Sequence, residues 1–162
     1  MTLTAEPAPT LADRELVLTR VIDAPREALY RCWTEPELLK QWFAPAPFTT
    51  PTAELDVRAG GSNFIVMQSP DGQAMPNHGV YLEVVPNQKI VFTDAYVKAW
   101  EPSPNPFMTV ILTFQDAGAG QTRYTARVLH FTVEGRQRHE QMGFHQGWGQ
   151  CADQLAALAK RL

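Results

Sequence analysis

Four polar side chains interrupt apolar stretches of this sequence: Asp94 and Tyr96 in KIVFTDAYV, His130 in RYTARVLH, and His145 in GFHQGWGQCADQL. A carboxyl, a phenol or an imidazole held among aliphatic and aromatic neighbours can anchor a ligand or move a proton, because burial shifts its ionisation. Each also has a plainer role open to it. Asp94 can close a strand end through hydrogen bonds, His130 can do the same at the end of the last strand, and His145 can lie packed or exposed on a helix. Asp94, His130 and His145 are the candidate catalytic groups. The sequence gives no convincing set of nucleophile, base and orienting partner.

Other catalytic patterns fail on spacing. His139-Glu140 begins like a zinc-binding HExxH helix, but Gly143 stands where the second histidine belongs. His145 is too far along to replace it and falls on another helical face. There is no GxSxG elbow, no phosphate-binding loop and no glycine fingerprint after a strand. No metal, nucleotide or other cofactor is expected.

The elements that must position these groups follow from periodicity and punctuation. Residues 15–22, ELVLTRVI, predict a strand. Pro25 suits the first turn of a helix through REALYRCW. Thr34 and Glu37 stand at capping-box spacing and predict a second short helix to about Phe43, bent against the first. Strands are then expected over 52–58, 62–69, 77–85, 89–97, 107–115 and 121–131, with connections short enough for an antiparallel meander. From about Arg136 to the end, Phe144, Trp148, Cys151, Leu155, Leu158 and Leu162 form one apolar helical stripe. A flank of small residues, including Gly149 and Ala152, runs beside it. Gly143, Gly147 and Gly149 relieve crowding there and leave room beside Trp148.

The expected architecture is α+β: a bent antiparallel sheet of about seven strands around a long C-terminal helix, with two short helices after the first strand. A long sheet must twist, and twisting around a helix leaves space between them. With charged neighbours pointing outward, strand alternation turns Leu82, Phe92, Asp94 and Tyr96 inward, together with Met108, Val110, Leu112 and His130. Tyr124, Ala126 and Val128 share that inward face. A one-residue bulge would invert any such list. Trp33, Trp42 and Phe43 from the bent helix pair and Phe64 from the strand predicted over 62–69 complete the expected pocket wall. The C-terminal helix adds Phe144, His145 and Trp148.

The totals fit one globular domain of 162 residues, with 44% hydrophobic and 19% charged residues. A chain of this length buries about 68–70% of its unfolded surface without needing a disulfide or metal. Cys32 and Cys151 are widely separated and read as reduced thiols. The formal net charge is -3, with basic residues scattered, so no nucleic-acid partner is expected. No apolar run approaches a membrane span, and the first residues lack the pattern of a signal peptide. The expected compartment is the cytoplasm. Residues 1–13 are expected to be a disordered arm and 14–162 a single domain.

The stretches TRVIDAPREALYRCWTEPELLKQWFAP, LDVRAGGSNF, HGVYLEVVPNQKIVFTD and GFHQGWGQCADQLAALA resemble the START-like (SRPBCC) superfamily. More narrowly, they resemble homologues of the activator of the heat-shock protein 90 ATPase. The resemblance implies a helix-grip fold with a hydrophobic pocket between sheet and long helix. Three functions stay open on the residues and the resemblance together. One is binding of a small apolar or aromatic molecule. Another is a polyketide cyclase or aromatase type of enzyme needing neither metal nor nucleotide. The third is a co-chaperone-like regulatory domain, although a single domain is expected and a chaperone partner is not. A homodimer is compatible with the open sheet edges.

Overall fold

The computed structural model describes residues 10–162. Residues 1–9 of the expected arm lie outside the described residues, and the rest is not irregular. Ala12–Arg14 forms one 3-10 turn, with the Asp13 carboxylate accepting from the Thr10 amide at 2.9 Å. Strand β1 (Glu15–Ile22) follows and buries Leu16, Leu18 and Ile22.

Helix α1 (Arg26–Thr34) sinks Ala28, Leu29, Cys32 and Trp33 into the core. Helix α2 (Pro36–Leu39) opens on a proline, whose missing N–H has no intrahelical partner at that position anyway. The capping box expected at Thr34 does not form. Its hydroxyl donates back to the Tyr30 carbonyl at 2.8 Å, so it serves the end of α1 rather than the start of α2. α2 also stops at Leu39, short of Phe43. Trp42 fixes the bend between the helices, its indole N–H donating to the Cys32 carbonyl at 3.0 Å.

The chain then runs through β2 (Thr49–Leu55), β3 (Ser62–Gln68), β4 (Ala74–Val85) and β5 (Lys89–Thr93). The strand expected over 89–97 ends early, because Asp94 turns the chain out of the sheet. β6 (Tyr96–Lys98) and β7 (Glu101–Pro102) form a separate two-stranded ribbon. The chain re-enters through β8 (Met108–Asp116) and returns in β9 (Thr122–His130). The main sheet is antiparallel and seven-stranded, in the order β1-β9-β8-β5-β4-β3-β2. Fold class and strand number therefore agree with the sequence reading.

The C-terminal helical region is broken where the sequence suggested continuity. α3 (Val133–Gln141) is capped by the Thr132 hydroxyl, which accepts from the Gly135 amide at 2.9 Å. α4 (Phe144–Ala159) is the long helix. Between them Gly143 adopts φ +97°, a left-handed conformation that residues with a side chain rarely adopt. α4 presses Phe144, Ala152, Leu155, Leu158 and Ala159 into one core with β1, β8, β9 and α1. No helix among the described residues is long and apolar enough to cross a membrane.

Candidate functional site

Helix and sheet do not fill the space between them. A cavity of about 380 Å³ lies beneath the start of α4. Trp33, Trp42 and Phe43 close one side of it. These three rings pack edge to face, with Trp33 and Trp42 centroids 4.7 Å apart. Asn63, Ile65 and Met67 of β3 form another wall, facing Phe144, Trp148 and Cys151 of α4. Burial pushes the Cys151 thiol up to about 11, so it stays protonated and packs as a small apolar group.

One polar side chain on α4 holds the aromatic side in place. The Gln154 amide donates to the Trp42 and Ala44 carbonyls at 2.9 and 2.8 Å, and its oxygen accepts from the Ala46 amide at 3.0 Å. Satisfying three backbone groups at once fixes the loop after α2 against the helix. The glycines do different work at the opposite side. A Cβ added at Gly147 would meet nothing within 4 Å, so that helical face opens onto the cavity. A Cβ at Gly149 would come within 2.9 Å of Arg20 Nη2, the far end of an exposed side chain.

The expected polar groups separate into different roles. Asp94 lies at the cavity, but its Oδ1 accepts from the Phe107 and Met108 amides at 2.8 and 3.0 Å. It closes the neck of the β6–β7 excursion. His145 is a correction: it is exposed on α4, 3.6 Å from the Glu140 carboxylate, and does not line the cavity. The helix restart at Gly143 rotates it to the solvent side. Tyr96 is likewise outside, stacked edge-on against Trp100 in the excursion.

His130 is buried in the core beyond the cavity wall, and its ring meets a partner that spacing along the chain does not reveal. Its Nδ1 lies 2.8 Å from the Arg14 carbonyl, and its Nε2 lies 2.9 Å from Nδ1 of His139. His139 does line the cavity, and its ring packs against Phe107, Phe144 and Trp148. Burial, reinforced by the neighbouring His130, lowers the His139 pKa to about 4. Burial likewise lowers that of His130. Both rings are neutral at pH 7. Among the described residues no group of three or more metal-ligating side chains includes this pair.

Of the remaining expected lining, Trp33, Trp42, Phe43, Phe92, Met108, Phe144 and Trp148 reach the cavity. Leu82 does not: the ladder between β4 and β5 shifts register between Tyr81 and Glu83, and the bulge turns Leu82 outward to 38% exposure. Phe64 falls on the opposite face of β3 from Asn63 and Ile65, stacked on His78 at 4.5 Å. Val110 and Leu112 do point inward, but they are fully buried core beyond the cavity wall. Asn63, Ile65 and Met67 went unrecognised because SNFIVMQ contains no charge to set its phase. His139 carried a signal only as half of a metal motif.

A bent antiparallel sheet gripping a C-terminal helix, with an apolar cavity between them, defines a START-like helix-grip domain. The chain belongs to the family described as activator of Hsp90 ATPase homolog 1-like protein, whose model matches residues 23–160. A crystal structure of a protein from Nitrosomonas europaea is 41% identical, with a TM-score of 0.89 over 93% of this chain and 96% of that one. One from Chromobacterium violaceum is 27% identical, with a TM-score of 0.72 over 90% and 96%. A Mycobacterium smegmatis protein, 24% identical with a TM-score of 0.77 over 92% of each chain, shares the fold. No curated protein matches the chain.

Proposed function

We propose that this domain binds a small apolar or aromatic molecule in the cavity beneath α4. The observation that carries the proposal is the unfilled 380 Å³ space itself, walled by Trp33, Trp42, Phe43, Phe144 and Trp148. Its volume falls in the range of small-molecule sites, and most of its lining is apolar with a few polar groups between. A ligand hiding about 200 Å² of apolar surface would gain roughly 5 kcal/mol from burial. The cost of association lowers that figure, giving affinities of about millimolar or weaker before any hydrogen bond is added.

The cyclase-like alternative loses the acid–base set first considered for it. Asp94 is committed to two backbone amides, His145 is exposed, and both ring nitrogens of His130 have neighbours within hydrogen-bond distance. Binding without turnover needs none of them. The test is a titration with 4-propylanisole, an uncharged alkylated aromatic ether, followed by amide chemical shifts. Saturable shifts centred on β3, α4 and Trp33 are expected. Shifts that stay linear, or that map to the sheet's outer face, would overturn the proposal.

A further inference from the structure

The hydrogen-bond chain from Arg14 to His139 determines what the cavity can recognise. A carbonyl oxygen only accepts, so His130 must carry its proton on Nδ1 to bond the Arg14 carbonyl at 2.8 Å. A neutral His130 then has a bare Nε2, which can only accept. At 2.9 Å, its partner Nδ1 of His139 must therefore be the donor. A neutral imidazole with its proton on Nδ1 carries a lone pair on Nε2. Two hydrogen bonds, the first anchored on the Arg14 backbone carbonyl, thus fix the tautomer of a ring in the cavity wall.

That Nε2 has no protein partner among the described residues. It is also absent from the side-chain atoms that are walled in without a partner, which are Arg14 Nε, Trp33 Nε1 and Thr50 Oγ1. It therefore remains open to an incoming group. No nearby charge forces a proton onto the ring. Glu140 lies by Arg136 and His145, Asp94 binds backbone amides, and Arg138 sits over the Phe107 ring. Asn63 also lines the cavity, and its carboxamide likewise has no hydrogen-bond partner among the described residues. That carboxamide is not among the walled-in atoms either, so it too is open to a ligand or water.

We infer that the cavity selects an aromatic molecule bearing a hydroxyl group, which donates its O–H to Nε2 of His139, with the Asn63 carboxamide available to a second oxygen. His139 is then the residue that sets specificity. His130 is a positioning residue that holds the tautomer. The inference rests on the proposed binding role and adds the ligand's chemical class to it.

The test compares 4-propylphenol with its methyl ether, 4-propylanisole, on the full-length protein. One hydrogen bond of ordinary strength predicts that wild type prefers the phenol by about 3- to 10-fold over the preference shown once Nε2 is removed. His139→Asn removes it cleanly, since the asparagine amide can still donate to His130 from the position of Nδ1. His139→Gln places an amide oxygen near the position of Nε2 and should restore part of the preference. Histidine nitrogen spectra of the wild type should show Nδ1–H on both rings, the minor tautomer of free imidazole side chains. Ether binding with an unchanged phenol-to-ether ratio in His139→Asn would overturn the inference and leave the binding proposal standing. If neither probe binds wild type, both fall together. An Nε2–H tautomer at His139 would overturn the inference whatever the affinities.

Discussion

The three glycines around Trp148 have three different reasons to be there, and substituting each by alanine separates them. Gly147 has ordinary helical geometry, and a Cβ there would touch nothing within 4 Å. Gly147→Ala therefore adds no clash and removes the flexibility of glycine from the unfolded chain, a gain of about 0.4–1 kcal/mol. For a domain of this size that is a rise in Tm of about 1–4 °C. Gly143→Ala forces a side chain into φ +97° and should cost about 1–2 kcal/mol, lowering Tm by several degrees. Gly149→Ala should fall between them, because the Arg20 guanidinium it meets at 2.9 Å is exposed and can swing away. Thermal melts followed by circular dichroism give the order directly. The cavity adds a second readout, since Gly147→Leu should also stabilise the fold while abolishing 4-propylanisole binding. A stable Gly147→Leu protein that binds as wild type would refute the assignment of the space beside Gly147 to a ligand. So would a Gly147→Ala protein that melts below wild type.

The burial of His139 makes stability depend on pH. Its folded pKa of about 4 lies below the ordinary value of 6.5, so the unfolded chain takes up the proton first as pH falls. Stability is full above about pH 6.5, declines by about 1–3 kcal/mol toward pH 4 because the ring is only partly buried, and levels below that. Urea melts of wild type and His139→Asn should converge in slope only above that window, and parallel curves across it would reject the burial argument. Asp94→Ala leaves the Phe107 and Met108 amides unpaired and should cost about 1–3 kcal/mol, with faster hydrogen exchange at both amides. Exchange unchanged at those two positions would show that the neck is held elsewhere. Gln154→Leu strands the Trp42 and Ala44 carbonyls and should cost about 1–3 kcal/mol, loosening the aromatic side of the cavity. Sharper quenching of tryptophan fluorescence by iodide is the expected sign, and wild-type quenching the contrary one.

Legibility in the sequence tracked the presence of charge. β9 carries Arg123 and Arg127 on the outward face, and the inward placement of its Tyr124, Ala126 and Val128 agrees with their burial. SNFIVMQ has no charged residue, so its two faces are equally apolar and Phe64 was put on the wrong one. Around Leu82 the charge of Glu83 gave the right phase for its own residue. The register shift at that point then broke the alternation on which Leu82 depended. A bulge depends on which strand lies alongside, so a period read along one chain segment does not contain it.

His139 shows the same limit at the site itself. Its spacing was tested as part of a single helix, and by that standard Gly143 was a missing metal ligand. In the fold Gly143 is the point at which one helix stops and another starts, so periodicity does not run across it. The break leaves α3 free to pack its own way, and it delivers His139 to the end of β9, where His130 waits with a bare nitrogen. The residue that ruled out a zinc site therefore permits the histidine pair. A left-handed glycine, a strand end and the carbonyl of Arg14 must meet before His139 acquires a fixed tautomer, and each comes from a different part of the chain. Spacing alone gives no account of such a group, because its chemistry is set by hydrogen bonds between segments far apart in sequence.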